Sequence, residues 1–434
     1  NKEMKIYEER RLKLTENLSG DIAVIIPGSI LANRSNDTSY PFRQDSNFYY
    51  LSGFNEPDST LMIIRKSGKN NSLGFVPKKD KLKEVWDGFR YGPEGMKSDF
   101  GFNEAFNNEE IDELLPDLLD GISCVYYPFG KVDGFDQKVI NWTKRANSKD
   151  RHSKKIEISD ISKILGNKRL IKDSSEVEII KKACKISAAA HLEAMKFVKP
   201  GMNEAEVEAF YLYEFAKNGG RFPAYNPIVA SGENACVLHY VENNQIINDG
   251  DLLLVDAGCE HEMYASDITR TFPANGKFSD EQLQIYNIVL EAQKAAIDSV
   301  IKGNEVMDPQ KISEKVITEG LIDLGIIKGN LEEEHKKGSF KDFYMHKIGH
   351  WMGMDVHDVG DYMHEGEFIK FDEGMITTIE PGIYISSTSE VDDKWKGIGI
   401  RIEDDILITK DGNKNLTNSV PTDPSEIEAL MQES

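Results

Sequence analysis

The sequence predicts an α/β (α+β) protein built as two domains, and three observations carry that prediction. At 434 residues the chain exceeds what one ordinary core supports. In its first part, apolar runs of strand length alternate with helical stretches, the pattern of an α/β domain. Residues 143 to 155, "TKRANSKDRHSKK", have almost nothing to bury and read as a surface segment near the end of that domain. The boundary is placed close to residue 170, giving domains 1–170 and 171–434.

Taken in order, "DIAVIIPG", "SNFYYLSGF", "TLMIIRK" and "ISCVYYPFG" read as strands, and "NEEIDELLPDLLDGI" as helical. The second domain opens on a long helix, about 174 to 198, followed by "VKPGMNEAEVEAFYLYEFAKNGG". Another long helix, about 280 to 302, is followed by "VIKGNEVMDPQKISEKVITEGLIDLG". Each unit runs long helix, glycine-containing turn, shorter helix, glycine, and β-like sequence follows. Asn203 with Glu206, and Ser279 with Gln282, have capping-box spacing. The pattern is either a duplicated ααβ unit with two halves facing each other or a coincidence between two helical hairpins.

Composition narrows the function classes. Hydrophobic content of 39% and charge of 29% describe a globular chain. No apolar stretch reaches the roughly 18 residues that span a bilayer, so no membrane partner is expected. The charged opening "NKEMKIYEERRLKL" lacks the apolar core of a signal peptide. Four scattered cysteines without a CxxC spacing favour reduced thiols, and a cytoplasmic location is expected. A net charge of −22 disfavours nucleic acid, whose phosphates need clustered Lys and Arg. It suits solubility, and more weakly attraction of metal ions or of a peptide's terminal ammonium.

Four segments carry chemistry. In "LLLVDAG", four aliphatics lead into Asp256; in "YASDITRTF", Asp267 follows eleven residues later. An acid at a strand end is ordinarily a solvated turn residue, yet this one directly follows a buried run, where a carboxylate needs compensation. A symmetric hairpin about "CEHEM" would set Asp256 opposite Asp267 and Leu254 opposite Thr269. Facing carboxylates repel unless a proton or a cation lies between them. "MHKIGHWMGMDVHDVG" holds His346, His350 and His357, a third of the nine histidines. A lone histidine there would be bonded to backbone; three together point to a site. In "MITTIEPGIYI", Glu380 ends an apolar strand. In "GIGIRIEDDILIT", alternation puts Gly399, Arg401, Glu403 and Asp405 on one face. That face would be solvated in a half-exposed strand, but its glycines mark a close approach. Asp256, Asp267, His350, Glu380 and Glu403 together make an oxygen-rich donor set with one imidazole. Four carboxylates balance two divalent cations, of which Mn²⁺ suits the donors best, with Co²⁺, Zn²⁺ or Fe²⁺ as alternatives.

In this order, "DAGC…SDITRTF", "HWMGMDVHDVG", "TIEPGIYI" and "GIGIRIEDD" resemble the metallopeptidases of the pita-bread fold, and aminopeptidase P (the Xaa-Pro aminopeptidases) most of all. "RQDSNFYYLSGFNEPD" is similar to that family's N-terminal domain, so the resemblance covers nearly the whole chain. It implies an N-terminal domain followed by a pita-bread catalytic domain that removes the first residue from peptides with proline second. It implies that Asp256 binds one metal and His350 and Glu380 the other, with Asp267 and Glu403 shared. His239 in "ACVLHY" and His357 match substrate-side histidines, for transition-state stabilisation or proton transfer. His346 would line the proline side, Tyr384 would support it, and Arg401 would brace Glu403 or contact substrate. Glu380 would also receive a proton. A homodimer or homotetramer is implied, with Trp86 and Phe89 of "VWDGFRYG" near a site or interface or else simply packed. Lys347 and Ile348, between the histidines, depart from the family pattern. A prolidase, acting on Xaa-Pro dipeptides, is the nearest alternative, and a non-catalytic pita-bread binding protein a more distant one.

Overall fold

A computed structural model describes residues 2–433. The chain divides into two compact units between Lys168 and Arg169.

The first unit is organised on a mixed six-stranded sheet. Its centre is the fully buried strand Ile22–Pro27, antiparallel to Thr60–Lys66 and parallel to Cys124–Tyr127. Lys69–Val76 and Glu104–Asn107 extend one side, and Glu157–Asp160 the other. Helices Ile111–Leu118 and Phe135–Asn147 cover one face, where Leu115, Val139 and Trp142 pack on Val125 and Phe75. One sequence expectation fails here: "SNFYYLSGF" is not a strand but the helix Ser46–Ser52. Aromatic residues favour strands by propensity, but the ends of this run decide otherwise. The Asp45 carboxylate accepts the Phe48 N–H at 2.9 Å, and Gly53 closes the helix in the left-handed conformation at φ 69°.

The second unit begins with the helix pair Ser174–Phe197 and Glu204–Lys217, and a second pair, Asp280–Asp298 and Asp308–Asp323, follows. Both capping boxes expected from the spacing are formed, at Asn203/Glu206 and Ser279/Gln282. The repeat is imperfect after the helices. Strands follow the first pair, whereas the helix Leu331–Lys337 and a 3₁₀ turn intervene after the second.

These helices bury Tyr211, Phe215, Tyr286 and Ile317 in one core with Val255, Phe272 and Ile400 from the strands. The strands form small antiparallel sheets. One orders Ile228–Ser231, Leu252–Ala257 and Ile268–Pro273; another orders Ile376–Ile379, Asp404–Ile408 and Asn413–Asn415; Gly382–Ile385 pairs with Ile398–Arg401. "GIGIRIEDDILIT" therefore serves two sheets, breaking at Ile402–Glu403. A bridge between Thr269 and Glu403 ties the first sheet to that break. Among the described residues no helix is long and apolar enough to cross a membrane.

Candidate active site

The hairpin register differs from the symmetric expectation by two residues. Asp256 lies opposite Thr269, and Leu254 opposite Thr271. Because side chains alternate along a strand, a two-residue offset keeps Asp256 and Asp267 on one face, as diagonal rather than direct neighbours. The Tyr225 hydroxyl sits between them, 2.6 Å from Asp256 Oδ1 and 2.8 Å from Asp267 Oδ1. It has one proton to offer two carboxylates.

Glu403 reaches the same place through its bridge to Thr269, whose hydroxyl donates to Glu403 Oε1 at 2.7 Å. Glu403 is completely buried, and its Oε2 has no hydrogen-bond partner among the described residues. Behind it, Asp405 accepts the Asp267 backbone N–H at 3.0 Å and the Cys184 thiol at 3.4 Å. Arg270, also fully buried, closes this layer by donating to Asp404 at 2.7 Å and to the Glu403 carbonyl at 2.8 Å.

His350 and Glu380 arrive together because two backbone segments touch. The Glu380 N–H donates to the Ile348 carbonyl at 2.7 Å, and the Thr378 N–H to the His350 carbonyl at 2.9 Å. Gly349 permits this approach, since a Cβ there would stand 1.8 Å from the Thr378 carbonyl oxygen. His350 Nδ1 donates to the Trp351 carbonyl at 2.8 Å, which fixes the tautomer. Its Nε2 then faces Asp267 Oδ2 at 3.2 Å and Glu380 Oε1 at 3.4 Å. In a neutral ring this nitrogen is a bare lone pair aimed at two carboxylates.

Three independent contacts are thus short of positive charge: the shared tyrosine proton, the orphaned Glu403 oxygen and the His350 lone pair. The electrostatics tell the same story. Burial and the neighbouring Asp256 push Asp267 up to about 6. Burial, with Asp267 and Glu380 nearby, drives Glu403 well above the usual carboxylate range. Burial alone would lower His350, but the Asp267 hydrogen bond and Glu380 push it up to about 9. Burial would also raise Asp256, yet Arg401 and the Tyr225 hydroxyl hold it below its usual value. Protons are being recruited where a cation would serve better. The donor set fits a divalent ion, and donor atoms of Asp267, His350 and Glu403 all lie within 4.8 Å of one another.

The acids open onto a cavity of about 700 Å³. His239, His346 and His357 line it, beside apolar walls that include Leu238, Phe368 and Phe371. The His357 ring meets His350 edge-on, with centroids 4.3 Å apart. Arg401 was expected to brace Glu403 or contact substrate. Its guanidinium lines the cavity and donates, not to Glu403, but to Asp256 Oδ2 at 3.0 Å and to the Tyr384 hydroxyl at 2.9 Å. Strands carrying Arg401 and Asp256 pack together across the core, whereas Glu403 is already held by Thr269. The Tyr384 hydroxyl lies 2.7 Å from His346 Nε2, and burial raises Tyr384 to about 12, so it stays protonated.

Of the twelve residues given a role in the sequence, eight line this cavity, Tyr384 and Glu403 lie directly behind it, and Trp86 and Phe89 belong to the first unit. Tyr225, Thr269 and Asp405 were given no role, as was His191, whose Nε2 lies 2.9 Å from the Ala257 carbonyl beside Asp256. Burial lowers His191 to about 4, which leaves it neutral and donating. Only Asp405 had a signal, as the third polar residue in the alternation with Arg401 and Glu403.

Comparison with known proteins identifies the family. Residues 178–410 match metallopeptidase family M24, and residues 7–126 match the aminopeptidase P N-terminal domain. The chain is 42% identical over 425 residues to the Xaa-Pro aminopeptidase of Haemophilus influenzae, covering 98% of this chain and 96% of that one. It is 40% identical over 428 residues to that of Escherichia coli, covering 98% and 97%. The solved structure of Pseudomonas aeruginosa aminopeptidase PepP superposes with a TM-score of 0.96 at 42% identity, over 99% of this chain and 98% of that one. The architecture is the expected one, an N-terminal domain followed by a pita-bread domain. The chain belongs to metallopeptidase family M24 and, within it, to the Xaa-Pro aminopeptidases, which are metallo-aminopeptidases.

Proposed function

We propose that this protein hydrolyses the bond between the first residue and a following proline in peptides, using two divalent cations. The observation that carries the reading is the cation-deficient cluster at the end of a cavity lined by three histidines. Asp256 would hold one ion, His350 and Glu380 the other, and Asp267 and Glu403 both. The oxygen-rich set suits Mn²⁺, with Co²⁺, Zn²⁺ or Fe²⁺ as alternatives. Ions bound there would polarise the scissile carbonyl and lower the pKa of a water.

The chain's own residues do the rest. Arg401 keeps Asp256 ionised and orients it. Glu380 accepts a proton at its carboxylate, and His239 and His357 donate toward the carbonyl oxygen as charge develops there. His346, held by Tyr384, forms the proline-side wall. An Xaa-Pro bond is a tertiary amide without an N–H, so recognition falls to the shape of the ring and the charge of the terminal ammonium. The chain's net charge of −22 supplies a negative field for that ammonium.

Chelation followed by Mn²⁺ return tests the reading, with an Xaa-Pro-Xaa tripeptide assayed beside an Xaa-Pro dipeptide. Metal-restored cleavage of the tripeptide is expected. Cleavage of the dipeptide alone would make the enzyme a prolidase, and failure to bind metal would sink the mechanism.

We carry two further expectations as part of this reading. A homodimer or homotetramer is supported by Trp86 and Phe89, which are 88% and 63% exposed. A monomer on sizing would remove it. A cytoplasmic location is supported by four unpaired cysteines and would be lost if fractionation placed the protein outside the cytoplasm.

A further inference from the structure

His239 sits in a stretch, residues 237 to 245, that belongs to no helix or strand. Something other than a backbone ladder must hold it. Glu204, the first residue of the helix Glu204–Lys217, is completely buried, and among the described residues the hydrogen bonds to its carboxylate come from the chain between Ser231 and Gln245. Oε1 accepts the Tyr240 hydroxyl at 2.7 Å and the Gln245 N–H at 2.9 Å. Oε2 accepts the Ser231 N–H at 2.7 Å, the Ser231 hydroxyl at 2.8 Å and the Asn234 amide at 3.1 Å.

Five donors converge on one carboxylate, and no cation is among them. A helix N-terminus supplies the compensating positive potential. The carboxylate is needed for its two accepting oxygens. Two of the five donors are backbone N–H groups, one on each oxygen, and neither can reverse its role. A glutamine would set its NH₂ against one of them. Tyr240, which delivers one of these bonds, is the immediate neighbour of His239.

We infer that Glu204 is a positioning residue that fixes His239 against the cavity through Tyr240. The inference rests on the substrate-side role proposed for His239. Glu204→Gln is expected to lower kcat by about 10- to 100-fold with KM changed less, as displacement of a positioned group does. In a His239→Ala background the same change should cost no more than about threefold, because the residue it acts through is gone. Full additivity of the two losses would overturn the inference. Hydrogen exchange supplies a readout independent of catalysis: amides of residues 237 to 245 should exchange at least about 10-fold faster in Glu204→Gln. The helix Asp280–Asp298 should be unchanged. Uniformly faster exchange throughout the unit would make Glu204 a general stability residue and overturn its positioning role. If Glu204→Gln does not fold, Tyr240→Phe removes one bond of the five and carries both readouts, with smaller changes in the same direction. Should His239→Ala itself leave kcat intact, the role of His239 falls, and exchange at 237 to 245 still decides that of Glu204.

Discussion

Alanine at Glu403 or Asp267 is expected to reduce kcat/KM by well over about 100-fold, more than the loss of an outer partner of a metal ligand usually costs. Both carboxylates sit where the two proposed ions would share donors, so neither ion keeps its full set without them. A variant retaining most activity would refute the shared-metal picture. A neutral isostere separates charge from packing. In the metal-free protein Glu403 is buried among Asp267, Glu380 and Asp256, all of which oppose its ionisation. Glu403→Gln should therefore raise the Tm of the metal-free protein, because it removes a source of repulsion. It should also shrink the rise in Tm that added Mn²⁺ produces, since an ion that binds only the folded state stabilises by an amount that grows with the logarithm of its affinity. The opposite pair of shifts, a lower metal-free Tm with an undiminished response to Mn²⁺, would show that Glu403 is structural.

The second large effect lies behind the site. Arg270→Met is expected to destabilise the protein by about 3–5 kcal/mol, the usual cost of removing one partner from a buried ion pair. Arg270 and Asp404 are 0% and 1% exposed, and their contact is 2.7 Å. The guanidinium also donates to the carbonyls of Thr269 and Glu403, so it joins the two backbone segments that carry shared acids. Methionine fills much of the volume but leaves Asp404 without its cation and those carbonyls short of a donor. Urea denaturation would read the loss as a lower midpoint at unchanged slope. A shift worth less than about 1 kcal/mol would mean that the pair contributes little beyond its hydration cost.

How much of this was legible in the sequence depended on distance along the chain. Asp256 and Glu380 announce themselves because each closes an apolar run, and an acid in that position needs an explanation. Glu403 was legible from alternation in "GIGIRIEDD". The hairpin register was not: ten residues connect Ala257 to Ile268, too many for turn chemistry to dictate pairing, and the backbone settled two residues from symmetry. Tyr225 was invisible because nothing in "FPAYNP" distinguishes it from a packed tyrosine; only the fold brings it to two carboxylates. Arg401 was found but given Glu403 as one partner, since neighbours in sequence are easier to imagine than Asp256, 145 residues away. The helix Ser46–Ser52 shows the converse error, where a strand-like composition outweighed the cap residues at its ends.

The chain of contacts from Asp256 through Arg401 and Tyr384 to His346 has a thermodynamic consequence. It joins the carboxylate end of the cavity to the wall assigned to proline by three bonds of 3.0 Å or less. An ion and a peptide bound as proposed would then not be independent guests. If filling one end shifts the arrangement the other end meets, linkage requires the effect to be mutual: the factor by which the ion alters peptide affinity is the factor by which the peptide alters ion affinity. Affinity for either guest is in that sense a property of the pair.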